Sequence, residues 1–360
     1  MFSASRLTLA RRRRRLTGKA LAEKAGVTAV TVSRLESSNN EPEPATLTAL
    51  AHALDFPEEF FRGDDLEELP AEAASFRSLT AMSAKERDAA LSAGSLAYML
   101  VDWVQERFNL PAADLTDLSH ERDPETAAII LRQLWGLGEQ PISNMIKLLE
   151  SKGTRVFSLS ENTKNVDAFS CWRDGVPYIF LNTFKSSEHS RFDAAHELGH
   201  LVLHKHGGPR QGREAESEAN AFASSFLMPS SDVQSRIRFV SSLNDLVIAK
   251  KRWGVSVAAL TYRLHKLDIL KDWQNRTLCI QMNKRGFRAN EPNPLPREES
   301  VVWKRIFEDL WNEKITKGHI ARALYVPQDE IENLVFGLVS APEPPSALLS
   351  ESGRPNLRLV

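Results

Sequence analysis

The chain has 360 residues, with 46 Lys and Arg against 47 Asp and Glu, so its formal net charge is −1. This length allows two or three domains, and the balanced charge argues neither for nor against a nucleic-acid partner. Its two cysteines, Cys171 and Cys279, lie far apart, which argues against a disulfide framework and favours a reducing cytoplasm. We find neither an apolar run of about 18 residues nor a signal-peptide core, so we expect no membrane span and a cytoplasmic location.

Residues 18 to 37 have the pattern of a helix-turn-helix. Ala22 is small where two helices would cross, Gly26 supplies the turn, and Val32 and Leu35 would anchor the second helix. Thr28 is placed to cap that helix, because its hydroxyl can accept from backbone N–H groups of the first turn. The exposed side of the second helix is then predicted to meet a DNA major groove through Thr28, Ala29, Thr31, Ser33 and Arg34.

The charge near the start of the chain agrees with DNA binding. Residues 1 to 37 hold nine Lys and Arg against Glu23 and Glu36, whereas residues 38 to 75 hold ten acidic residues and only Arg62. Such a local basic excess is what contacts to DNA phosphates require. The alternative interpretation is an ordinary helical hairpin with a solvated arginine run.

Residues 5 to 62 resemble the phage-repressor-like XRE family. The resemblance is carried by Leu21-Ala22, Ala25-Gly26-Val27, Val32-Ser33-Arg34-Leu35-Glu36 and a helix from Pro44 to Leu54 followed by Phe60-Phe61. It implies a five-helix DNA-binding domain over residues 1 to 63 that contacts double-stranded DNA. Many family members have a glutamine where this chain has Thr17-Gly18-Lys19, and we expect Lys19 to supply a phosphate contact instead.

The middle of the chain carries an H-E-x-x-H motif, His196-Glu197-Leu198-Gly199-His200. Two histidines four residues apart lie one above the other on a helix and can hold one metal ion between their rings. The glutamate between them would then lie beside the open metal position, where it can take a proton from bound water. The motif therefore predicts a hydrolytic metal site, with Glu197 as its catalytic base. The alternative is an ordinary helix face.

The third ligand of such a site must come from elsewhere, and four downstream residues compete: His204, Glu214, Glu216 and Glu218. His204 is disfavoured as a ligand, because three rings of one straight helix would have to converge on one ion. The segment from Glu214 to Met228 is predicted to be a second helix with an apolar stripe. Glu216 lies at the edge of that stripe and is our preferred third ligand. Glu218 is the second choice, and Glu214 is expected to be exposed to solvent. Asn220, one turn after Glu216, could hydrogen-bond a histidine and set its tautomer.

Residues 150 to 265 resemble the ImmA/IrrE metallopeptidases. The resemblance is carried by the H-E-x-x-H motif, by Glu216-Ser217-Glu218-Ala219-Asn220 and by Phe226-Leu227-Met228-Pro229. It implies a gluzincin-like, mostly α domain with a small sheet, and it places the third ligand on Glu216. Family members are typically stress-response or mobile-element regulators that cleave a partner repressor, and fusions with an XRE domain in this order recur.

This resemblance shapes the remaining expectations for the site. We expect Zn²⁺ on His196, His200 and Glu216, although two histidines and one carboxylate also accommodate Mn²⁺ or iron. The strand from Val176 to Leu181 is our candidate for an edge strand that binds a substrate peptide by strand addition. Tyr262, on a helix that includes Val255 to Leu264, could reach the oxyanion, although structural packing is an equal alternative.

The predicted fold is mainly α with a small β-sheet, of the α+β class. A helix is predicted from Phe76 to Phe108, helices from Pro124 to Leu134 and Pro141 to Lys152, and strands from Thr154 to Ser160 and Ala168 to Trp172. We divide the chain into the DNA-binding domain (1–63), a linker (64–75), the metallopeptidase domain with a helical lead-in (76–290), a small helical C-terminal domain (299–338) and a disordered tail (341–360).

Two functions remain open. In the first, the chain is a DNA-binding regulator whose zinc endopeptidase cleaves a repressor or antitoxin in a stress or mobile-element response. In the second, it is a non-proteolytic regulator or antitoxin whose peptidase-like domain acts as a sensor or scaffold. The candidate partners are double-stranded DNA, a protein substrate and a second copy of the chain, but no membrane.

Overall fold

The computed structural model describes residues 1–37, 40–70, 75–76, 83–159, 168–204 and 212–339. The fold is mainly helical with one small sheet, as predicted for the α+β class. The predicted tail (341–360) and residues 71–74 of the predicted linker lie outside the described residues. None of the helices within the described ranges is long and apolar enough to cross a bilayer.

The N-terminal helices have the arrangement predicted for a helix-turn-helix domain. They are α1 (Ala4–Arg13), α2 (Gly18–Ala25), α3 (Ala29–Ser37), α4 (Pro44–Leu54) and a 3-10 helix at Glu58–Arg62. Gly26 ends α2 with a positive φ of 68°, a backbone conformation that glycine adopts without a steric penalty.

The central part of the chain alternates helices with the strands of the sheet. Its elements are β1 (Ser75–Phe76), α5 (Ala84–Gln105), α6 (Pro124–Leu134), α7 (Met145–Ser151), β2 (Arg155–Leu159), β3 (Ala168–Arg173), β4 (Val176–Asn182), α8 (Ser187–Leu203) and α9 (Arg213–Leu227). The prediction of a helix from Phe76 was wrong, because Phe76 pairs in β1 and a capping box between Ser83 and Glu86 starts α5 at Ala84.

The C-terminal part of the described chain is helical throughout. Its α-helices are α10 (Ser230–Arg236), α11 (Leu243–Ala249), α12 (Val257–Lys266), α13 (Asp272–Lys284), α14 (Val301–Asn312), α15 (Lys317–Ala323) and α16 (Gln328–Leu334), with a 3-10 helix at Lys250–Arg252.

The sheet has the strand order β1-β3-β4-β2. Strand β4 pairs in parallel with β2 and antiparallel with β3, while β1 pairs antiparallel with β3. Our expectation that Val176 to Leu181 forms a peptide-binding edge was therefore wrong, because both edges of β4 are already hydrogen-bonded. Both faces of β4 are also covered, which suits its nearly continuous apolar sequence.

The two faces of the sheet border two hydrophobic cores. Tyr178 and Phe180 belong to a core that also contains the N-terminal helices, α5 and the helices after residue 299, whereas Ile179 and Leu181 belong to a core formed with α6 to α13. Successive side chains of a strand point to opposite faces, so β4 contributes to both cores. The N-terminal and C-terminal helices thus share one core, and the division of the chain into the domains given above stays a prediction.

Candidate metal centre and DNA-binding surface

The candidate metal centre lies where α8 packs against α9. His196, Glu197 and His200 project from α8 and are almost fully buried. A Cβ added to Gly199 would lie 3.1 Å from Cδ1 of Phe222 and 3.3 Å from Cα of Ala219, both on α9. The glycine inside the H-E-x-x-H motif therefore lets the two helices approach closely enough for a residue of α9 to reach the histidines.

That residue is Glu216. Its carboxylate oxygens lie 3.3 Å from Nε2 of His196 and 3.3 Å from Nε2 of His200, and the two Nε2 atoms are 3.0 Å apart. One ligand atom from each of the three residues lies within 4.8 Å of the other two, a set that could hold a metal ion. Two imidazoles and one carboxylate are the ligand set typical of a catalytic zinc.

The other three candidates for the third ligand lie elsewhere. Glu214 is exposed on the first turn of α9. His204 Nε2 lies 3.0 Å from Oε2 of Glu218, so these two residues contact each other. The structure thus brings Glu216 to the two histidines and directs Glu218 to a third histidine, one turn further along α8.

The ionisation of His200 and Glu216 suits a divalent cation. Burial lowers the pKa of His200, which favours the neutral ring that a metal requires. Burial also raises the pKa of Glu216, but its interactions with the neighbouring His196 and His200 outweigh burial and bring the pKa to about 2. The side chains present therefore fit a bound metal ion.

Glu197 is held by a residue that sequence analysis missed. Ser170, on β3 and fully buried, donates its hydroxyl to Oε2 of Glu197 at 2.7 Å. No motif marks Ser170, and its position depends on how the sheet packs against α8. The thiol of the neighbouring Cys171 lies 3.2 Å from the Tyr98 hydroxyl, within hydrogen-bonding distance. Burial raises the pKa of the Cys171 thiol to about 12, so this cysteine is not a thiolate ligand at neutral pH.

Two residues proposed to support the site, Asn220 and Tyr262, make no hydrogen bond to a histidine ligand within the described part of the chain. Asn220 donates its side-chain N–H to the backbone carbonyl of Glu216 at 2.7 Å and so bonds its own helix. Tyr262 is 48% exposed on α12, with Lys266 Nζ 5.7 Å from its ring centroid. No hydrogen bond or ring contact among the described residues links Tyr262 to His196, His200 or Glu216.

The helix-turn-helix presents the side chains expected to face DNA. Val32 and Leu35 are buried beneath α3, and Thr28 caps this helix by accepting from the Thr31 N–H at 3.0 Å. The predicted DNA contacts Lys19, Thr28, Ala29, Ser33 and Arg34 are exposed, and Thr31 is half-buried. Exposure makes these residues available to a groove, and their contacts with DNA stay a prediction.

Most of the arginine run, in contrast, is used inside the protein. Arg11 forms a bidentate pair with Glu36 of α3, at 2.6 and 2.9 Å. Arg13 Nε and Arg14 Nη1 lie 2.6 and 2.8 Å from the carboxylate of Glu330, on α16. The basic excess counted from the sequence therefore overstates the charge available to phosphates, because these acids lie too far along the chain to be recognised as partners.

Comparison with known protein families agrees with both sites. Residues 4–60 match a model described as a helix-turn-helix domain, and residues 149–265 match the IrrE N-terminal-like domain of a peptidase family. No curated protein matches the chain. The chain thus combines an XRE-like, DNA-binding helix-turn-helix with a metallopeptidase-like domain of the ImmA/IrrE type, which confirms both resemblances. This combination supports a regulator that carries a peptidase domain, and the family suggests a divalent metal.

Proposed function

We propose that the chain is a DNA-binding regulator whose zinc-dependent endopeptidase cleaves a partner protein, a repressor or an antitoxin. His196, His200 and Glu216 hold the metal, and Glu197 is the catalytic base. The observation that carries this proposal is the convergence of one carboxylate and two imidazoles beside a buried glutamate. A helix-turn-helix in the same chain supports a regulatory output.

The residues of the site suggest how peptide hydrolysis would proceed. His196, His200 and Glu216 would hold a zinc ion, which would lower the pKa of a bound water and polarise the scissile carbonyl. Glu197 is placed to accept a proton from the attacking water and to deliver it to the leaving nitrogen. Ser170 holds one carboxylate oxygen of Glu197 at 2.7 Å, which orients the base. The packing of α8 against the sheet and α9 limits access of bulk water to Glu197.

Three variants of the full chain test the proposal. In Glu197→Gln the ligands remain, so we expect zinc binding to persist, cleavage to stop and the substrate to stay bound. In Glu216→Gln one ligand is replaced by a neutral amide, so both zinc binding and cleavage should be lost. Glu214→Gln, an exposed change on the same helix, should leave both unchanged.

The measurements are metal content by mass spectrometry and the level of a co-expressed partner encoded near the gene of this chain. Proteins trapped by Glu197→Gln would identify other substrates. If wild type and Glu197→Gln leave every trapped partner intact and regulate a promoter equally, proteolysis is not the output. The sensor or scaffold function would then replace the present proposal. Recovery of manganese in place of zinc would correct the metal alone.

A further inference from the structure

A chain of hydrogen-bonding side chains leads away from one of the two histidine ligands. His200 Nδ1 lies 2.9 Å from Nδ1 of His204, and His204 Nε2 lies 3.0 Å from Oε2 of Glu218. Both rings are at most 6% exposed, and the Glu218 side chain is 16% exposed. Glu218, His204 and His200 therefore form a continuous series that runs from α9 back to the candidate metal.

The chemistry of the three groups determines where the protons lie. A carboxylate can only accept, so Nε2 of His204 must carry the proton that it donates to Glu218. In a neutral His204 ring Nδ1 then carries no proton and can only accept. The hydrogen bond between the two rings consequently requires the proton to lie on Nδ1 of His200.

This proton arrangement leaves the other nitrogen of His200 as a lone pair. Nε2 of His200 is the atom that lies 3.3 Å from Oε1 of Glu216 and 3.0 Å from Nε2 of His196. A lone pair that faces a carboxylate at this distance leaves room for a cation to bind both groups. The hydrogen-bonded series thus prepares His200 as a metal ligand through Nε2.

His196 has no comparable support. Its Nδ1 is buried and has no hydrogen-bond partner within the described part of the chain. Metal-bound histidines usually donate their second N–H to a carboxylate, carbonyl or water, which fixes the ring and its tautomer. At this centre only His200 has such a partner among the described residues, and it reaches a carboxylate through a second imidazole.

We propose that Glu218 and His204 are positioning residues that hold His200 in the tautomer that binds metal through Nε2. The proposal rests on the metal site described under the proposed function, whereas the proton positions follow from the hydrogen bonds of a neutral His204 ring. The residues considered above as competing ligands therefore support the metal site without touching the ion.

The first test reads the tautomers directly in the full chain labelled with 15N-histidine. Long-range 1H–15N spectra of the metal-free protein should show His200 protonated at Nδ1 and His204 protonated at Nε2. The spectrum of the variant His204→Phe assigns the signals. A proton on Nε2 of His200 in the metal-free protein would overturn the proposal, because His204 would then be the donor.

The second test measures zinc affinity by competition with a chromophoric chelator. His204→Phe keeps a ring but removes the hydrogen bonds, and we expect its affinity to fall about 10- to 100-fold. Glu218→Gln keeps an acceptor but loses the charge, and we expect a fall of about tenfold. Glu214→Gln is the matched control on the same helix, and its affinity should stay within about twofold of wild type.

The two tests separate this inference from the proposed function. Wild-type affinity in both His204→Phe and Glu218→Gln would overturn the positioning role even if zinc binds. Conversely, the expected tautomers in a protein that binds no zinc would refute the metal centre and leave the hydrogen-bonded series intact. Thermal unfolding of each metal-free variant shows whether an affinity loss reflects misfolding.

Discussion

The metal centre and the arginine-rich helix α1 are both marked by conspicuous polar residues, yet the structure uses them in opposite ways. At the metal centre the histidines of α8 and Glu216 converge on one point from two helices. At the end of α1, Arg11, Arg13 and the following Arg14 pair with acids on α3 and α16. The difference shows that regular spacing along a helix predicts a site better than the number of charges does.

The physical reason lies in what each pattern specifies. A separation of four residues places two side chains on one helix face wherever that helix lies in the fold. The side chains of consecutive arginines point in all directions around the helix. Their partners therefore depend on which other elements pack against each side of that helix. Glu330, with a side chain only 1% exposed, meets two of them.

Replacing Glu330 would be the strongest test of this comparison. In Glu330→Gln, Arg13 and Arg14 lose their shared partner in a largely buried setting, and we expect a loss of about 3 kcal/mol in the free energy of unfolding. Urea denaturation followed by circular dichroism measures it. Glu332→Gln, an exposed neighbour on the same helix, should change stability by no more than about 0.5 kcal/mol.

An equal effect of the two variants would break the comparison. The arginines of α1 would then contribute little to the stability of the fold and would be available to DNA. The basic excess of residues 1 to 37 would again support phosphate binding. A gain of DNA affinity in Glu330→Gln without loss of stability would point the same way.

The same distinction explains how much of the molecule was predictable from sequence. The helix-turn-helix, the α+β class and the approach of Glu216 to the histidines follow from local periodicity and family motifs. The contact of Ser170 with Glu197 depends on strand pairing and on the packing of β3 against α8. The central position of Val176–Asn182 in the sheet depends on the order of the strands, which no local pattern encodes.

A smaller effect is expected at Thr28, which caps a helix and is also a predicted DNA contact. Its hydroxyl caps α3, and its exposed position suits a DNA contact. Thr28→Ala should lower the free energy of unfolding by about 1 kcal/mol through loss of the cap. Thr28→Ser keeps the capping hydroxyl and should recover most of that stability. If serine fails to restore it, the methyl group rather than the cap stabilises this turn.

The smallest effect is expected at Lys19, which is 82% exposed on its side chain and pairs only at 3.9 Å with Glu23. An exposed pair of this kind contributes little to stability, so Lys19→Ala should fold as wild type does. If Lys19 contacts a phosphate, its loss lowers the slope of log affinity against log salt concentration by about 0.9 on any duplex. Fluorescence anisotropy with a random-sequence duplex at several salt concentrations measures this slope.

Lys147→Ala, exposed on the distant helix α7, is the control that should leave the slope unchanged. An unchanged slope in Lys19→Ala as well would remove Lys19 from the DNA surface and leave Arg34 and the capped end of α3 as the remaining candidates.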